Sequence, residues 1–370
     1  MTKNTTSTKR TRKHENEEKS RDKQFDDFIL SLTKNSISSF EHTGINKKRR
    51  VLDGQLASKR EIVVTHKDES LHSIFNKLLN NNILSCPVLK QGELFYGMID
   101  LLDILKFIVD EVGKSNVDKL KNDQQIINRH LKKITSLFDL EEFKTTKLSP
   151  GTTMFSAFEV LSKQGINRIA VVDDRDEIID IITEFDLIHW VYENCDRLGS
   201  RRYRKVGDMS AANQYVMSVL EDEQVIDAFK LIKIMGVGGV AVIKEDGTLV
   251  GNLSSRDIKK IGKNGENWKR MFQPVFEFID REPITCSVES SLEDILEIFV
   301  SKSVHRVYIV DNMFKTQGVI TLRDLIGELM PMSNHPNLLI FEGDLSKPYL
   351  QVEADEVEQS SSNKPLTADQ

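Results

Sequence analysis

The chain has 370 residues, of which 39% are apolar, and it carries a formal net charge of −6. This length accommodates two or three domains of ordinary size, and the lack of any run of about 18 apolar residues predicts no transmembrane helix. The acidic balance argues against general nucleic-acid binding, and three cysteines far apart in sequence predict neither a disulfide framework nor a metal pair.

The N-terminal part of the chain is polar. Residues 1–24 hold more basic than acidic side chains and no apolar stretch, which predicts a disordered segment without a signal peptide. A leading helix and linker are expected over 25–54. The apolar stripe of that helix consists of Phe25, Phe28, Ile29 and Leu32. The basic run Lys47-Lys48-Arg49-Arg50 is either a nuclear-import patch or a solvated linker, so the expected location is cytoplasmic, with nuclear entry left open.

The middle of the chain contains four segments with one layout. Each has a β-prone piece, an amphipathic helix, two apolar strands joined by a polar turn, and a last helix headed by an Asp. These head residues are Asp103, Asp186, Asp257 and Asp324. The unit is therefore predicted to be β-α-β-β-α, an α/β fold. One unit alone would expose a wide apolar helix face, so the units should pair.

This layout divides the rest of the chain into repeats and linkers. Repeats 1 to 4 are predicted at 55–110, 145–196, 214–262 and 282–330. The linkers between them are predicted at 111–144, 197–213 and 263–281. The C-terminal tail, 331–370, is acidic and serine-rich and is expected to be disordered.

Each linker has a distinct composition. The first has a helical pattern that would pack on the repeats or meet a partner protein. The second is basic and would contact phosphates, bind an acidic partner or remain solvated. The third is rich in aromatic residues that would cover the sheet edges or form a partner surface.

The Asp that heads each last helix has two interpretations. A carboxylate can accept hydrogen bonds from both hydroxyls of a ribose. It can equally cap the helix N-terminus, with no ligand at all. We find no phosphate-binding loop, nucleophile elbow or metalloprotease motif, and the histidines are scattered, so neither enzymatic activity nor a metal site is predicted.

The repeated layout resembles the CBS domain. Four copies without an attached channel or enzyme are similar to the gamma regulatory subunit of AMP-activated protein kinase. The resemblance implies that adjacent repeats pair into two Bateman modules, which together form a flattened disc. It further implies that clefts between paired repeats bind AMP, ADP or ATP as regulatory ligands, with no cofactor.

The resemblance assigns roles to particular residues. Ribose would be held at the Ser/Thr-x-x-Asp motifs, and phosphates by His and Arg residues before the second strand of a repeat. The implied nucleotide-binding residues are Asp103, Arg168, Thr183, Asp186, Ser254, Asp257, His305, Arg306, Thr321 and Asp324. Three departures count against some sites: Asp100 replaces the hydroxyl in repeat 1, Asn167 replaces a His in repeat 2, and the segment around Leu84 lacks an Arg.

Two functions remain open on the sequence. The first is a non-catalytic regulatory subunit that binds adenine nucleotides and biases a kinase complex, with catalytic and scaffold subunits on other chains and no membrane or nucleic-acid partner. The second is a CBS-domain adaptor in stress or phosphatase signalling, with little nucleotide binding.

Overall fold

The computed structural model describes residues 23–37, 62–113, 146–262, 267–279 and 282–330, apart from Glu93 and Gln164. All of them belong to one structural unit that ends at Pro331. Among them, no helix combines the length and apolar character needed to cross a membrane. Four predictions lie outside the described residues: the disordered N-terminus up to residue 22, the basic run 47–50, most of the first linker, and the C-terminal tail.

Repeat 1 contains three strands and two helices. They are β1 (Thr65–His66), α2 (Leu71–Asn80), β2 (Ser85–Lys90), β3 (Leu94–Asp100) and α3 (Leu101–Gly113). They follow the leading helix α1, which spans residues 23–34. β1 lies parallel to β2 and β2 lies antiparallel to β3, which gives a three-stranded sheet.

Repeat 2 has the same order of elements and the same sheet. Its elements are β4 (Lys147–Leu148), α4 (Met154–Leu161), β5 (Arg168–Val172), β6 (Ile178–Thr183) and α5 (Glu184–Glu193). The strand β5 is buried from its second residue to its last, as expected for a central strand covered on both faces.

Repeat 3 departs from the prediction at its last helix. Its elements are β7 (Ser218–Leu220), α6 (Val225–Met235), β8 (Gly239–Ile243) and β9 (Leu249–Ser254), followed by a 3-10 helix over Ser255–Ile261. The expected α-helix stops after two short turns because Gly262 adopts a left-handed φ of 78°, which ends the helical backbone.

Repeat 4 restores the predicted order. Its elements are β10 (Thr285–Cys286), α8 (Leu292–Lys302), β11 (Arg306–Val310), β12 (Thr316–Thr321) and α9 (Leu322–Leu329). The helix numbered α7 lies in the preceding linker, at Val275–Phe278. Four small sheets, one in each repeat, therefore confirm the predicted β-α-β-β-α architecture.

Adjacent repeats pair through their sheets. Phe95 and Met98 of repeat 1 form a buried cluster with Ala170 and Val172 of repeat 2. In repeats 3 and 4, the corresponding cluster consists of Ala241, Leu249 and Tyr308. Each pair of repeats, called a module below, therefore buries apolar sheet residues that one repeat alone would expose to water.

The two modules meet through helices. In this contact α5 of repeat 2 packs on α8 and α9 of repeat 4, and α3 of repeat 1 packs on α6 and the 3-10 helix of repeat 3. One core cluster joins repeats 2 and 4 and includes Phe25, Phe28 and Leu32 of α1. The stripe predicted on the leading helix therefore docks on the core of the same chain.

The basic linker is paired within the chain. Arg197 donates a 2.7 Å hydrogen bond to Ser31 Oγ, and the Arg201 guanidinium lies 3.8 Å from the centre of the Phe25 ring. The remaining charges of this linker form ion pairs: Arg202 with Asp196, Arg204 with Glu328 and Lys205 with Glu289. Arg197 and Arg201 thus contact the leading helix, and Arg204 and Lys205 contact repeat 4, although the Lys205 side chain remains 56% exposed to solvent. Contact of this linker with a phosphate or an acidic partner stays a prediction.

Candidate ligand-binding site

The Ser/Thr-x-x-Asp motifs of repeats 2, 3 and 4 all fold as reciprocal helix caps. In repeat 2, the Thr183 backbone N–H and hydroxyl donate to Asp186 Oδ2 at 2.9 and 2.7 Å, and the Asp186 N–H donates to Thr183 Oγ1 at 3.1 Å. The pairs Ser254 with Asp257 and Thr321 with Asp324 repeat this pattern. The caps satisfy N–H groups that have no partner within the helix, which by itself explains the spacing of the motif.

In Asp257 and Asp324, the carboxylate oxygen that does not cap the helix lies beside another donor. Asp324 Oδ1 accepts a 3.0 Å hydrogen bond from Gln214 Nε2, and Asp257 Oδ1 lies 3.1 Å from Lys260 Nζ. A carboxylate offers about four lone-pair sites, so each of these two groups can accept a further hydrogen bond. Capping is therefore compatible with a ligand hydroxyl at the same side chain.

In repeat 1, two carboxylates cap the N-terminus of α3. Asp100 Oδ1 accepts hydrogen bonds from the N–H groups of Leu102 and Asp103 at 2.8 and 3.1 Å, and Asp103 Oδ2 accepts one from Asp100 N–H at 3.0 Å. Asp100 thus replaces the Ser or Thr hydroxyl as an acceptor. It also adds a negative charge, which disfavours a phosphate near Asp103.

Arg168 and Arg306 occupy equivalent positions, each at the start of the central strand of a repeat. Arg168 of repeat 2 donates to Ser85 Oγ of repeat 1. Arg306 of repeat 4 lies against the backbone of Gly238 and Gly239 in repeat 3. Each guanidinium therefore crosses from one repeat to its partner inside a module.

Gly239 admits the Arg306 side chain because it has no Cβ. A Cβ added there would lie 2.5 Å from the Leu253 carbonyl oxygen and would overlap the guanidinium. We expect Gly239→Ala to lower the free energy of unfolding by about 1–3 kcal/mol, the usual cost of overpacking. Gly151→Ala is the matched control, since a Cβ at Gly151 meets nothing within 4 Å. Urea denaturation measures both, and equal stability of the two variants would contradict this packing.

His305 points towards the other module. Its ring stacks on Phe185 of repeat 2, with centroids 6.2 Å apart and planes 16° apart. Burial lowers the pKa of His305 to about 3, and the positive charges of Arg256, Arg168 and Arg306 act in the same direction. The imidazole is therefore neutral at pH 7. It can still donate or accept one hydrogen bond, but it adds no charge for a phosphate.

A second group of polar side chains joins repeats 2 and 4. Arg323 Nη2 donates a 2.8 Å hydrogen bond to Asn167 Oδ1 and lies 3.5 Å from Glu184 Oε1. Burial raises the pKa of Glu184 to about 7, against the opposing effect of Arg323 and Arg168. Asn167, the position where the sequence departs from a His, thus accepts a hydrogen bond between the two modules.

Sequence reasoning missed several of these residues: Glu184, Phe185, Gln214, Arg256 and Arg323. A signal for three of them exists, because Phe185, Arg256 and Arg323 all stand directly before the motif Asp. Such a residue lies in the first turn of the last helix, where the modules meet. Gln214 has no comparable signal, since it belongs to the linker before β7.

The remaining chemistry-bearing residues have structural roles. Trp190 stacks on Phe28 at 5.7 Å, and His189 Nδ1 lies 3.9 Å from Glu193 Oε1, so both residues take part in packing. Burial raises the pKa of the Cys86 and Cys286 thiols to about 12. Within the described ranges, no three His, Cys, Asp or Glu side chains come together as metal ligands do.

Comparison with known proteins identifies the repeated unit. The model of the CBS domain matches four segments, 54–110, 143–193, 206–264 and 275–331. The 5'-AMP-activated protein kinase subunit gamma of Saccharomyces cerevisiae is 23% identical over 81% of this chain and 92% of its own length. Protein SDS23 of Candida albicans is 24% identical over 70% of this chain and 48% of its own length.

A solved structure with the same arrangement also exists. Protein MJ1225 from Methanocaldococcus jannaschii, described as a putative archaeal homolog of g-AMPK, aligns with a TM-score of 0.61. It is 21% identical and the alignment covers 74% of this chain and 98% of that protein. At this identity the likeness extends to the fold, and the roles of individual residues need a separate argument.

Proposed function

We propose, from the premise that the chain belongs to the CBS domain family, that it is a non-catalytic regulatory subunit of the gamma type. It binds AMP, ADP or ATP in clefts between its repeats and regulates a protein kinase complex of the AMP-activated type. The relative from Saccharomyces cerevisiae supports this class, because the similarity extends over most of both chains.

The observation that carries the proposal is the group of guanidinium side chains where the repeats meet. Arg168, Arg256 and Arg306 come from three different repeats, and all three lie close enough to His305 to lower its pKa. Like charges repel one another, and an anion placed among them would relieve that repulsion. Guanidinium groups bind phosphate oxygens with two parallel hydrogen bonds, so a phosphate suits this group.

In this proposal different residues bind the ribose and the phosphates of the nucleotide. The carboxylates of Asp186, Asp257 and Asp324 accept the ribose hydroxyls, and Thr183, Ser254 and Thr321 hold each carboxylate in position. Arg168, His305 and Arg306 contact the phosphates. A nucleotide site at Asp103 has the least support, because the negative charge of the neighbouring Asp100 disfavours a phosphate there.

Calorimetric titration of the full chain with AMP, ATP and adenosine tests the proposal. We expect micromolar affinity for at least one nucleotide and at least tenfold weaker binding of adenosine, which lacks the phosphate that the guanidinium groups would bind. Raising the salt concentration should weaken AMP more than adenosine, since only AMP is anionic. No heat at millimolar nucleotide would contradict nucleotide sensing.

A second candidate function is an adaptor of the same fold that binds little nucleotide. Two observations favour it: every motif Asp already caps a helix, and Gln214 already donates to Asp324. Affinity capture of the full chain from cells separates the two, because a regulatory subunit should retain a kinase catalytic subunit and an adaptor should not.

A further inference from the structure

Glu184 is a buried acidic residue, with 9% of its surface exposed. It opens α5, directly after Thr183 and two residues before Asp186. A buried carboxylate costs free energy unless charges or hydrogen bonds compensate it. The position of Glu184 therefore needs a reason beyond capping, which Thr183 and Asp186 already provide.

The compensation that Glu184 receives is incomplete. The distance of 3.5 Å between Glu184 Oε1 and Arg323 Nη2 is longer than that of a charge-assisted hydrogen bond, which is about 2.7–2.9 Å. Among the described residues, Glu184 Oε1 accepts no hydrogen bond and Arg323 Nε donates none. The two groups attract each other by charge, but these two atoms make no hydrogen bond with each other or with another described residue.

The groups around Glu184 include those that a nucleotide would need. Arg168 and Arg323 act on it from β5 and α9, and Asp324 opposes them from α9. The ring of Phe185, the next residue on α5, stacks against the neutral imidazole of His305 in repeat 4. A phosphate that reaches Arg168 or Arg323 thus comes under the influence of the Glu184 carboxylate.

We propose that Glu184 is an internal competitor of the ligand phosphate, a carboxylate that occupies Arg323 until a nucleotide replaces it. The inference rests on the proposed function and deepens it. Ionised Glu184 repels a phosphate and attracts the Arg323 guanidinium group, whereas protonated Glu184 can donate a hydrogen bond to a phosphate oxygen. Nucleotide binding is then coupled to proton uptake at this residue.

The direction of the pH dependence follows from the charge. Burial places the titration of Glu184 near neutral pH, so the carboxyl is mostly protonated at pH 6 and mostly ionised at pH 8. An incoming anion favours the protonated form. The affinity of the wild-type chain for AMP should therefore decrease from pH 6 to pH 8 relative to that of a variant without this carboxylate.

The test compares wild type, Glu184→Gln and Glu159→Gln by calorimetry with AMP and adenosine. Glu159 is exposed on α4 of the same repeat, so its change to Gln removes the same charge far from the guanidinium groups. We expect Glu184→Gln to bind AMP about tenfold more tightly than wild type at pH 8 and less than about twofold more tightly at pH 6. Adenosine affinity should stay within about twofold in both variants, and Glu159→Gln should behave as wild type.

The outcomes distinguish the inference from the function on which it rests. If wild type binds AMP and a cooperatively folded Glu184→Gln gains no affinity at pH 8, Glu184 does not compete with phosphate. If Glu184→Gln increases the affinity for adenosine as much as the affinity for AMP, the effect does not act on the phosphate, and the inference is wrong. If no nucleotide binds to wild type or variant, the proposed function fails together with it.

A second measurement needs only the wild-type chain. Titration with AMP at pH 7.5 in two buffers of different ionisation enthalpy reports the protons exchanged on binding. The phosphate of AMP, with a second pKa of about 6, would release protons when it binds guanidinium groups. Net proton uptake would support the role of Glu184, and net release would contradict it.

Discussion

Replacing Asp324 by Ala is expected to weaken AMP binding at least about a hundredfold, because the ribose would lose two hydrogen bonds to a charged acceptor, each contributing about 1.5–3 kcal/mol. The same change removes the helix cap, since Asp324 Oδ2 accepts hydrogen bonds from both the N–H and the hydroxyl of Thr321. Loss of a cap lowers the free energy of unfolding by about 1 kcal/mol. A loss of affinity could therefore reflect either the ribose contact or the cap.

Repeat 4 contains the control that separates these effects. Asp294 makes the same reciprocal cap with Ser291 at the start of α8, with distances of 2.8 and 3.1 Å. It belongs to the first helix of the repeat and is not a motif residue. Asp294→Ala should destabilise the chain by about the same 1 kcal/mol and leave the AMP affinity unchanged.

Calorimetry and urea denaturation of both variants give a clear decision. A large loss of affinity in Asp324→Ala together with unchanged affinity in Asp294→Ala would support ribose binding at the motif. Equal affinity in both variants would mean that Asp324 is a cap and nothing more. In that case the ribose is not bound at Asp324, and the reciprocal cap by itself explains the motif of repeat 4.

Replacing Trp268 by Ala is expected to lower the free energy of unfolding by about 3–5 kcal/mol, the largest loss of stability that we predict for a single substitution. Trp268 lies in the aromatic linker before repeat 4, in a 3-10 helix over Trp268–Phe272, and its side chain is fully buried. Its ring meets Phe272 edge to face at 5.5 Å. Removing it would leave a cavity beneath α6, which this segment covers.

The same linker supplies the matched control. Phe276 is 58% exposed, although Phe278 and Val275 beside it are buried. Phe276→Ala should change the free energy of unfolding by less than about 0.5 kcal/mol, as most surface substitutions do. Urea denaturation of the two variants measures the difference. Similar effects of the two substitutions would mean that the segment does not cover the core as described.

The aromatic linker also answers a question that the sequence left open. The backbone N–H groups of Val275 and Phe276 donate hydrogen bonds to the backbone carbonyl oxygens of Glu223 and Glu221, respectively. Both glutamates lie in the turn between β7 and α6. Trp268, Met271 and Phe278 then close the apolar side of repeat 3. The segment therefore covers α6 of repeat 3 and, through α7, the edge strand β9. This agrees with the interpretation that it covers a sheet edge and extends the cover to a helix.

The local features of the repeats could be predicted from the sequence because they depend on short spacings. The i, i+3, i+4 pattern of apolar residues predicted each helix, and Leu71, Ile74, Phe75 and Leu78 are indeed its buried face in repeat 1. Glycine in the turns of repeats 1 and 3 has the expected left-handed φ of 84° at Gly92 and Gly247. In repeats 2 and 4, Asp176 and Phe314 adopt a left-handed φ instead. The residue types at these two positions did not predict it.

The role of the motif residues needed more than spacing. The sequence placed Asp186, Asp257 and Asp324 at helix starts, but both a cap and a ribose contact are compatible with that position. The structure adds the identity of the hydrogen-bond partners, such as Gln214 on Asp324. These partners come from distant parts of the chain, and the composition of a short window contains no information about them.

The sequence by itself determined the repeated unit, its sheets and its helix caps, because those features arise between residues a few positions apart. Only the tertiary structure decided which charges meet. Arg323 reaches Asn167 across 156 residues of chain and lies beside Glu184, since α5 of repeat 2 packs against α9 of repeat 4. That contact depends on how two complete modules dock through their buried apolar faces, and docking is a property of surfaces that exist only once the repeats have folded.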